Sequence, residues 1–397
     1  MVRLPASPVP IPLRPPFRPF LRTWAGALAL ALLPVAAAPA GVTLGRGKLT
    51  GTATARVDYD SNLFLNNRNA ADWAASLRAE GQYLRDAGLL TLESTAGFLA
   101  LRFRDYQEQN AFDPYVEANS TYRPSDKTDA RAALAFRRQS VANDAVNDRT
   151  RADDFSAEGA FEHLVTEKLG WRAAGEYLFS NYLTPGYSDV GRARAGLHGV
   201  HQYSPKLKLL AGLTAAANWT RTPGNGRTAA DARDWRFTVG AEGEFSPKIT
   251  GDLSVGVVRR ELTRAGIADD TALYLASRVA WAATEKTIWT LRAAQDLGMS
   301  AVDQSMQTLE VSLHLSRTFT SRLVAEGVVG FARAEYRGFA GLGDRDDHGG
   351  TIRGVLRYTL GRRATLDAAA GWRENRSTES LAVYRRVNTS LGVTMRF

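Results

Sequence analysis

The chain of 397 residues predicts an all-β protein. The expected fold is a transmembrane up-and-down antiparallel β-barrel of about 18 strands, or about 16 if the weak segments around Gln139 to His163 pair differently. Three observations predict it. Apolar and polar residues alternate with period two along most of the chain. The segments are joined alternately by short turns and by longer polar connections. The large aromatics sit on the apolar parity, close to segment ends.

The first segment, Lys48 to Asp60, alternates without a break. Leu49, Gly51, Ala53, Ala55, Val57 and Tyr59 take one face, and Thr50, Thr52, Thr54, Arg56, Asp58 and Asp60 the other. Side chains of a strand point alternately to its two faces, so one face here suits lipid and the other water. After a polar loop from Ser61 to Asp72, Trp73, Ala75, Leu77, Ala79, Gly81 and Tyr83 oppose Ser76, Arg78, Glu80 and Gln82. A turn at Arg85-Asp86-Ala87-Gly88 sends the chain back. Further short turns are expected at Pro124 to Lys127, Ser204 to Lys206, Ser246 to Lys248, Ala283 to Lys286 and Gly361 to Arg363. Long connections are expected at Asp105 to Asp113, Gln139 to Asp153, Asn181 to Ser188, Thr220 to Ala232, Glu261 to Asp269, Leu297 to Gln304, Arg337 to Gly349 and Asn375 to Ala382. The tryptophans outside the N-terminal stretch (Trp73, Trp171, Trp219, Trp235, Trp281, Trp289 and Trp372) all take the apolar parity. Rings with an apolar body and a polar edge belong at the two headgroup levels, whereas a soluble sandwich would bury them mid-strand.

The two ends of the chain agree with this. Arg3, Arg14, Arg18 and Arg22 form a cationic start without an acid, Trp24 to Ala38 is apolar, and Ala38-Pro39-Ala40 offers a small-x-small cleavage site. Residues 1–40 are therefore expected to be a signal peptide and 41–397 the barrel. At the other end Val387, Thr389, Leu391, Val393, Met395 and Phe397 share a face, and the chain stops on an aromatic. Such an ending looks like the closing strand of a bacterial outer-membrane barrel, with Phe397 as the assembly signal read by the barrel assembly machinery. Turns are then expected in the periplasm and loops outside, with outer-membrane lipid as the surrounding partner.

Composition narrows the function. The formal charge of +9 is partly due to the leader arginines, and the remaining cations are too dispersed for nucleic acid, which needs a basic stripe. There are no cysteines, so disulfides and thiolate metal sites are excluded. The polar parity would line a lumen with Arg56, Arg78, Glu80, Arg131, Arg172, Arg192, Arg194, Arg236, Arg353 and Arg357, and with Arg322 and acids such as Glu162, Glu176, Glu242 and Asp367. Charges in that number imply water, because isolated charges in a dry interior cost more than pairing returns. Mixed signs predict pairing across strands and a slight anion preference. Inner aromatics are few, chiefly Tyr115 and Tyr274.

No catalytic, cofactor or metal site is expected. His314-Leu315-Ser316 has a His-x-Ser spacing, but on the inner parity and without matching flanks. Asp344 to His348 reads as a solvated outer loop. Asp58 to Asn62 opens like a calcium loop but lacks the glycine and the bidentate glutamate that an EF-hand needs.

Val57-Asp58-Tyr59-Asp60-Ser61-Asn62-Leu63-Phe64 resembles the opening of the β-barrel porins encoded beside exopolysaccharide operons. Arg345-Asp346-Asp347, Gly354 to Leu360, Leu366 to Trp372, Arg376-Ser377 and the terminal Phe strand resemble their closing stretch. Arg385-Arg386 departs from the aromatic or acidic residues common there. The resemblance implies a non-enzymatic outer-membrane pore or scaffold linked to exopolysaccharide export, with polysaccharide or secretion components as partners. The inner face by itself also suits a general diffusion porin for small hydrophilic solutes, and a barrel-embedded enzyme is the least supported alternative.

If Phe397 is the assembly signal, Phe397→Ser should lower the amount of protein in the membrane fraction severalfold. Normal levels of that variant on a quantitative blot would place the signal elsewhere.

Overall fold

The computed structural model describes residues 41–221, 231–263, 269–338 and 343–397. The expected leader lies outside them, as do parts of the connections expected at 220–232, 261–269 and 337–349. A short strand β1 (Val42–Leu44) precedes β2 (Gly47–Asp60), β3 (Asp72–Ala87), β4 (Leu90–Phe103), β5 (Ala111–Ser125), β6 (Thr128–Asn143) and β7 (Asp148–Leu164). Then follow β8 (Leu169–Tyr182), β9 (Asp189–Ser204), β10 (Leu207–Arg221), β11 (Ala232–Ser246), β12 (Ile249–Leu262) and β13 (Asp270–Thr284). The chain ends with β14 (Thr287–Met299), β15 (Ser305–Thr318), β16 (Leu323–Arg337), β17 (Arg345–Thr359), β18 (Ala364–Ser377) and β19 (Tyr384–Arg396).

From β2 to β19 each strand pairs antiparallel with its chain neighbours, and β19 pairs with β2, closing an up-and-down barrel of 18 strands. In lipid every backbone N–H and C=O must find a partner within the protein, and closure supplies the partners that an open edge would lack. At the seam Leu391 lies opposite Val57 and Arg396 opposite Thr52. Phe397 completes it: its N–H donates to Gly51 O at 2.9 Å and its O accepts from Gly51 N–H at 3.2 Å. Beyond that point β1 takes over the same edge of β2, pairing Val42 with Leu49 and Leu44 with Gly47.

The faces follow the alternation. Leu134, Leu213, Leu273, Val329 and Leu391 are 58–67% exposed on the outside. A contiguous apolar surface of this kind on a water-soluble protein would be a site of association, and around a closed barrel it is the lipid belt. Cross-strand aromatic pairs stand on that outer face, among them Tyr59–Trp73 at 5.1 Å, Phe136–Phe155 at 5.1 Å and Phe161–Trp171 at 5.3 Å between ring centroids. Gly191 lies opposite Trp219, and the indole lies flat on it: a Cβ there would sit 2.2 Å from the ring. At the turn end, Gly88 takes φ of +69° in the β3–β4 turn, a conformation that disfavours side chains.

Strands run from 13 to 17 residues, longer than the ~9–11 that a tilted strand needs to cross a bilayer. The surplus lies at the loop end, where it corrects the expected connections. Gln139 to Asp153 is the top of a β6–β7 hairpin whose tip is only residues 144–147, with Gln139 opposite Ala152 and Asn143 opposite Asp148. The 16-strand alternative falls with it. Arg345 to Gly349, expected as loop, begins β17. One face of the projecting β6–β7 hairpin meets water and the other, at Ser140 and Asn147, is buried on polar partners, so both faces carry polar residues and composition there looks like loop. Arg322, expected on the inner face, is in the exposed turn between β15 and β16.

Two measurements check the fold. The folded protein should migrate faster on a gel before boiling than after, and identical migration would contradict a barrel. Leu213→Arg, which puts a charge on the lipid face, should destabilise by about 2–4 kcal/mol in urea unfolding, the cost of such a residue near the membrane mid-plane. A variant as stable as its parent would put that face in water.

Candidate functional site: a lumen crossed by its own loop tips

The inner wall carries the charge, and most of it is paired. Arg56 on β2 meets Asp367 on β18 at 3.1 Å, and Arg357 meets Glu326 at 3.1 Å. Arg131 binds Asp129 at 2.7 Å. Arg172 on β8 donates to Glu162 on β7 at 2.8 Å and to Glu242 on β11 at 2.9 Å, and Lys208 also pairs with Glu162. Glu80 accepts from Tyr115 Oη at 2.5 Å and from Thr52 Oγ1 at 3.0 Å, while Arg78 lies over the Tyr115 ring. Arg353 lines the wall without an ion pair among the described residues.

One hairpin leaves the wall. β13 and β14 pair only from Thr284–Thr287 up to Leu275–Gln295, whereas β14 and β15 stay paired to Met299–Ser305. Above Gln295 the β14–β15 tip therefore parts from β13 and lies inside the barrel. Leu297, 1% exposed, packs on Val258 and Ala272, which face inward from β12 and β13. Asp296 reaches three arginines on the neighbouring arc: Arg192 at 3.8 Å and Arg194 at 3.4 Å on β9, and Arg236 on β11. Side chains bind the backbone carbonyls of the parted tip. Arg192 Nη2 donates to Leu297 O at 2.5 Å, and Arg260 Nη1 to Gly298 O at 2.7 Å. Arg260 is fully buried and also binds Asp234 through two contacts of 2.7 Å and Ser305 Oγ at 2.9 Å. The tip then meets the β8–β9 loop, where Ser188 N–H donates to Ala301 O at 2.9 Å.

A second set of ties lies at the loop end. Asp144, in the β6–β7 tip, accepts from Arg373 Nη2 and from Tyr384 Oη, each at 2.7 Å. Arg345 donates to Asp144 O at 2.9 Å and Ala145 O at 3.0 Å and is itself held by Asp347 at 2.8 Å. Thus Asp344 to His348 is not a solvated loop: Arg345 and Asp347 are buried on the inner wall. The β2–β3 loop joins them. Asn62, fully buried, donates to Asn66 O at 2.7 Å and Arg385 O at 3.3 Å, and Asn147 Nδ2 donates to Leu65 O at 2.8 Å. Leu63 packs with Ala74 and Phe103 beneath. In this way the β6–β7 tip is bound to β17, β18, β19 and the β2–β3 loop, none of them a ladder neighbour of β6 or β7.

Between these ties are two cavities. The smaller, about 560 Å³, is lined by Arg131, Glu158, Glu176, Arg194, His198, Arg236 and Tyr274 among others. The larger, about 1320 Å³, is lined by Arg56, Arg78, Glu80, Arg353, Arg357 and Asp367 among others. Of the sequence-derived inner residues, Arg131, Arg194 and Arg236 line the smaller cavity and Arg56, Arg78, Glu80, Arg353 and Arg357 the larger, while Arg172 and Arg192 line neither. Reading by parity missed Asp296, Asp144, Arg260 and Arg345. Asp296 shares the parity of Arg292, and the run Leu297 to Ser305 has only one charge, Asp303, which an outward loop would not need. Tyr336 and Tyr384 add buried inner rings, each under a guanidinium.

His314 bonds Ser312 Oγ at 3.0 Å, not Ser316. Asp60 is engaged by Arg386 at 2.6 and 2.9 Å and by Asn62 N–H at 3.0 Å, so its oxygens serve the seam. Among the described residues no three His, Asp or Glu side chains converge as metal ligands.

The sequence matches the family described as "Putative beta-barrel porin 2" over residues 35–397. The chain belongs to this family. No curated protein matches its sequence. Solved structures of similar fold include the ferric enterobactin receptor PfeA of Pseudomonas aeruginosa, at 9% identity and a TM-score of 0.46, covering 88% of this chain and 80% of the receptor. Another is OpdK of the same organism, crystallised with vanillate, at 12% identity and a TM-score of 0.45, covering 88% of this chain and 98% of OpdK. PirA of Acinetobacter baumannii is similar at 6% identity and a TM-score of 0.45, covering 88% and 80%. These likenesses concern the fold alone.

A porin-family barrel whose inner hairpin hangs on buried charge depends on each partner being present. Arg260→Met leaves Asp234 buried with Asn218 as its remaining partner, and should cost about 3–5 kcal/mol in urea unfolding. The double variant Arg260→Met, Asp234→Leu should recover much of the loss. Additive losses would show that the pair is not coupled.

Proposed function

We propose that the protein is a non-enzymatic outer-membrane channel of narrow section for small hydrophilic solutes. The observation that carries this reading is the β14–β15 tip, drawn into the lumen by Asp296 and held on Arg192, Arg194 and Arg236. A barrel of eight strands would be filled by side chains, whereas 18 strands enclose water, and an inward tip then sets the size of what passes. Charges fixed on a water-filled wall focus the field and select by sign. Family membership and the lipid-facing belt support placement in the outer membrane, with turns in the periplasm and Phe397 offered to the assembly machinery at the seam.

The link to exopolysaccharide export rests on resemblance in the opening and closing strands. An extended polymer would need both the Asp296 tip and the Asp144 ties withdrawn from the lumen. The inward tip therefore favours small solutes as cargo over the polymer itself. Wherever the gene is active, its partners in that system are components that supply or use such solutes, or that dock on the loops.

Purified protein in a planar bilayer should show stepwise conductance with slight anion selectivity, fading as salt rises and the screening length shortens from about 8 Å at ~0.15 M. Arg192→Glu with Arg194→Glu should move the reversal potential toward cations. It should also raise conductance, because two new carboxylates repel Asp296 and release the tip. A wild-type barrel that conducts nothing would leave the scaffold as the better account. A double variant that inserts normally yet conducts no more than its parent would detach the tip from the control of pore size.

A further inference from the structure

We propose that the smaller cavity is a binding site for a small hydroxylated carboxylate of sugar-acid type, and that Asp296 is an internal carboxylate occupying its anion position. This deepens the channel reading above and rests on it for the identity of the cargo. The site itself stands on four observations.

First, three guanidinium groups converge on one carboxylate. Arg192, Arg194 and Arg236 approach Asp296 from two strands, an excess of cation over anion at the point of contact; Arg194 and Arg236 also line the cavity, and Arg192 and Asp296 lie beyond them. Carboxylates are what planar guanidinium forks bind best, through paired charge-assisted hydrogen bonds. Second, the donors are not used up. The donors Arg194 Nε and Arg236 Nε are buried without a hydrogen-bond partner among the described residues, as is His198 Nδ1, which donates or accepts according to its tautomer, and all three side chains line the same cavity. The Arg236 side chain is only 7% exposed. Buried donors without partners cost free energy and mark a place where a partner is missing. Third, the carboxylate that fills the position is on a hairpin that has parted from its neighbour strand, since β14 above Gln295 makes no ladder with β13. It can leave without breaking the wall.

The fourth observation sets the ligand class. On β7 and β8 the cavity presents Glu158 directly opposite Glu176, and Glu176 lies 3.5 Å from Arg194. This acidic pair would repel a ligand with a second negative charge, but it accepts hydrogen bonds from hydroxyls. Thr214, Thr238 and Ser254 add hydroxyls on the adjoining wall, and Tyr274 presents a ring already covered on one side by Arg236 at 3.8 Å. One carboxylate at the arginines with hydroxyls toward the glutamates satisfies both walls. A volume of about 560 Å³ holds one such molecule with water. Binding would exchange one carboxylate for another at the arginines, so the ligand and the tip compete, and occupancy frees the tip.

Isothermal titration calorimetry on the detergent-solubilised full chain tests the site whether or not the barrel conducts. The probes are D-glucuronate, D-glucose, which has the hydroxyls without the charge, and succinate, which has the charge without the hydroxyls. Glucuronate should bind at least about tenfold more tightly than either, a difference of about 1.4 kcal/mol. Asp296→Asn, which keeps the shape and the acceptor for Leu297 N–H but removes the competing charge, should tighten glucuronate binding about tenfold. Arg194→Gln with Arg236→Gln should abolish it, and heat-modifiable migration of that variant shows whether it is folded. Asp296→Asn covers the case in which it is not. Equal binding of glucuronate and glucose, tighter binding of succinate, or no gain in Asp296→Asn would overturn the proposal. Glucuronate binding by a barrel that shows no conductance would keep the site and remove the channel. Conductance without glucuronate binding would do the reverse.

Discussion

The structure depends on one constraint: a backbone in lipid must satisfy all its polar groups by itself. Eighteen strands meet it by closing on themselves, and the closure is made at the β19–β2 seam. Because side chains alternate across a pleated sheet, closing the ladder also assigns every residue to lipid or to lumen. A one-residue slip of β2 at the seam would turn Arg56 outward, away from Asp367, and Val57 inward. The register is therefore held by the chemistry of both faces together. Phe397 and β1 extend the protection of β2 to its lower end, where Gly47 to Thr50 would otherwise present an open edge.

The same constraint explains how the barrel can afford an inward hairpin. Parting β14 from β13 takes ladder partners from the backbone of the tip, the Leu297 carbonyl among them, and buried carbonyls must be satisfied. Arg192 supplies a donor at Leu297 O, Arg260 binds the next carbonyl, and Asp234 and Asn218 connect the two arginines into one network with bonds of 2.5 to 3.0 Å. The network is charged and partly buried. Its members hold each other's charge in place, and the apolar contact of Leu297 with Val258 and Ala272 seats the tip on the wall. Geometry is thus specified by polar bonds, with a small apolar cluster beneath them.

Two groups of ties cross the lumen, and their composition differs. Those around Asp144 and Asn62 use buried amides, tyrosines and backbone carbonyls, a well-satisfied set that favours permanence. Those around Asp296 combine converging arginines with donors left unpartnered. A satisfied network is stiff, whereas an unsatisfied one is ready to exchange partners. This difference separates the satisfied part of the loop end from the part that adjoins the smaller cavity.

Much was legible in the sequence alone. The period-two alternation of β2, β3 and β19, the outer placement of seven tryptophans and the count of 18 strands follow from residue order, because lipid outside and water inside impose opposite demands on adjacent residues. The same alternation points Arg56, Arg172, Arg194 and Arg236 inward. Residue order could not show how far the strands run, since the inner face of the β6–β7 hairpin, at Ser140 and Asn147, is buried on polar partners, which removes the alternation that marks a strand. Nor could it show that Asp296 on β14 meets Arg192 and Arg194 on β9, about a hundred residues earlier. That meeting depends on the parting of β14 from β13 and on the curvature of the wall. Parity tells which way a side chain points, and only the tertiary structure decides what lies across the lumen from it.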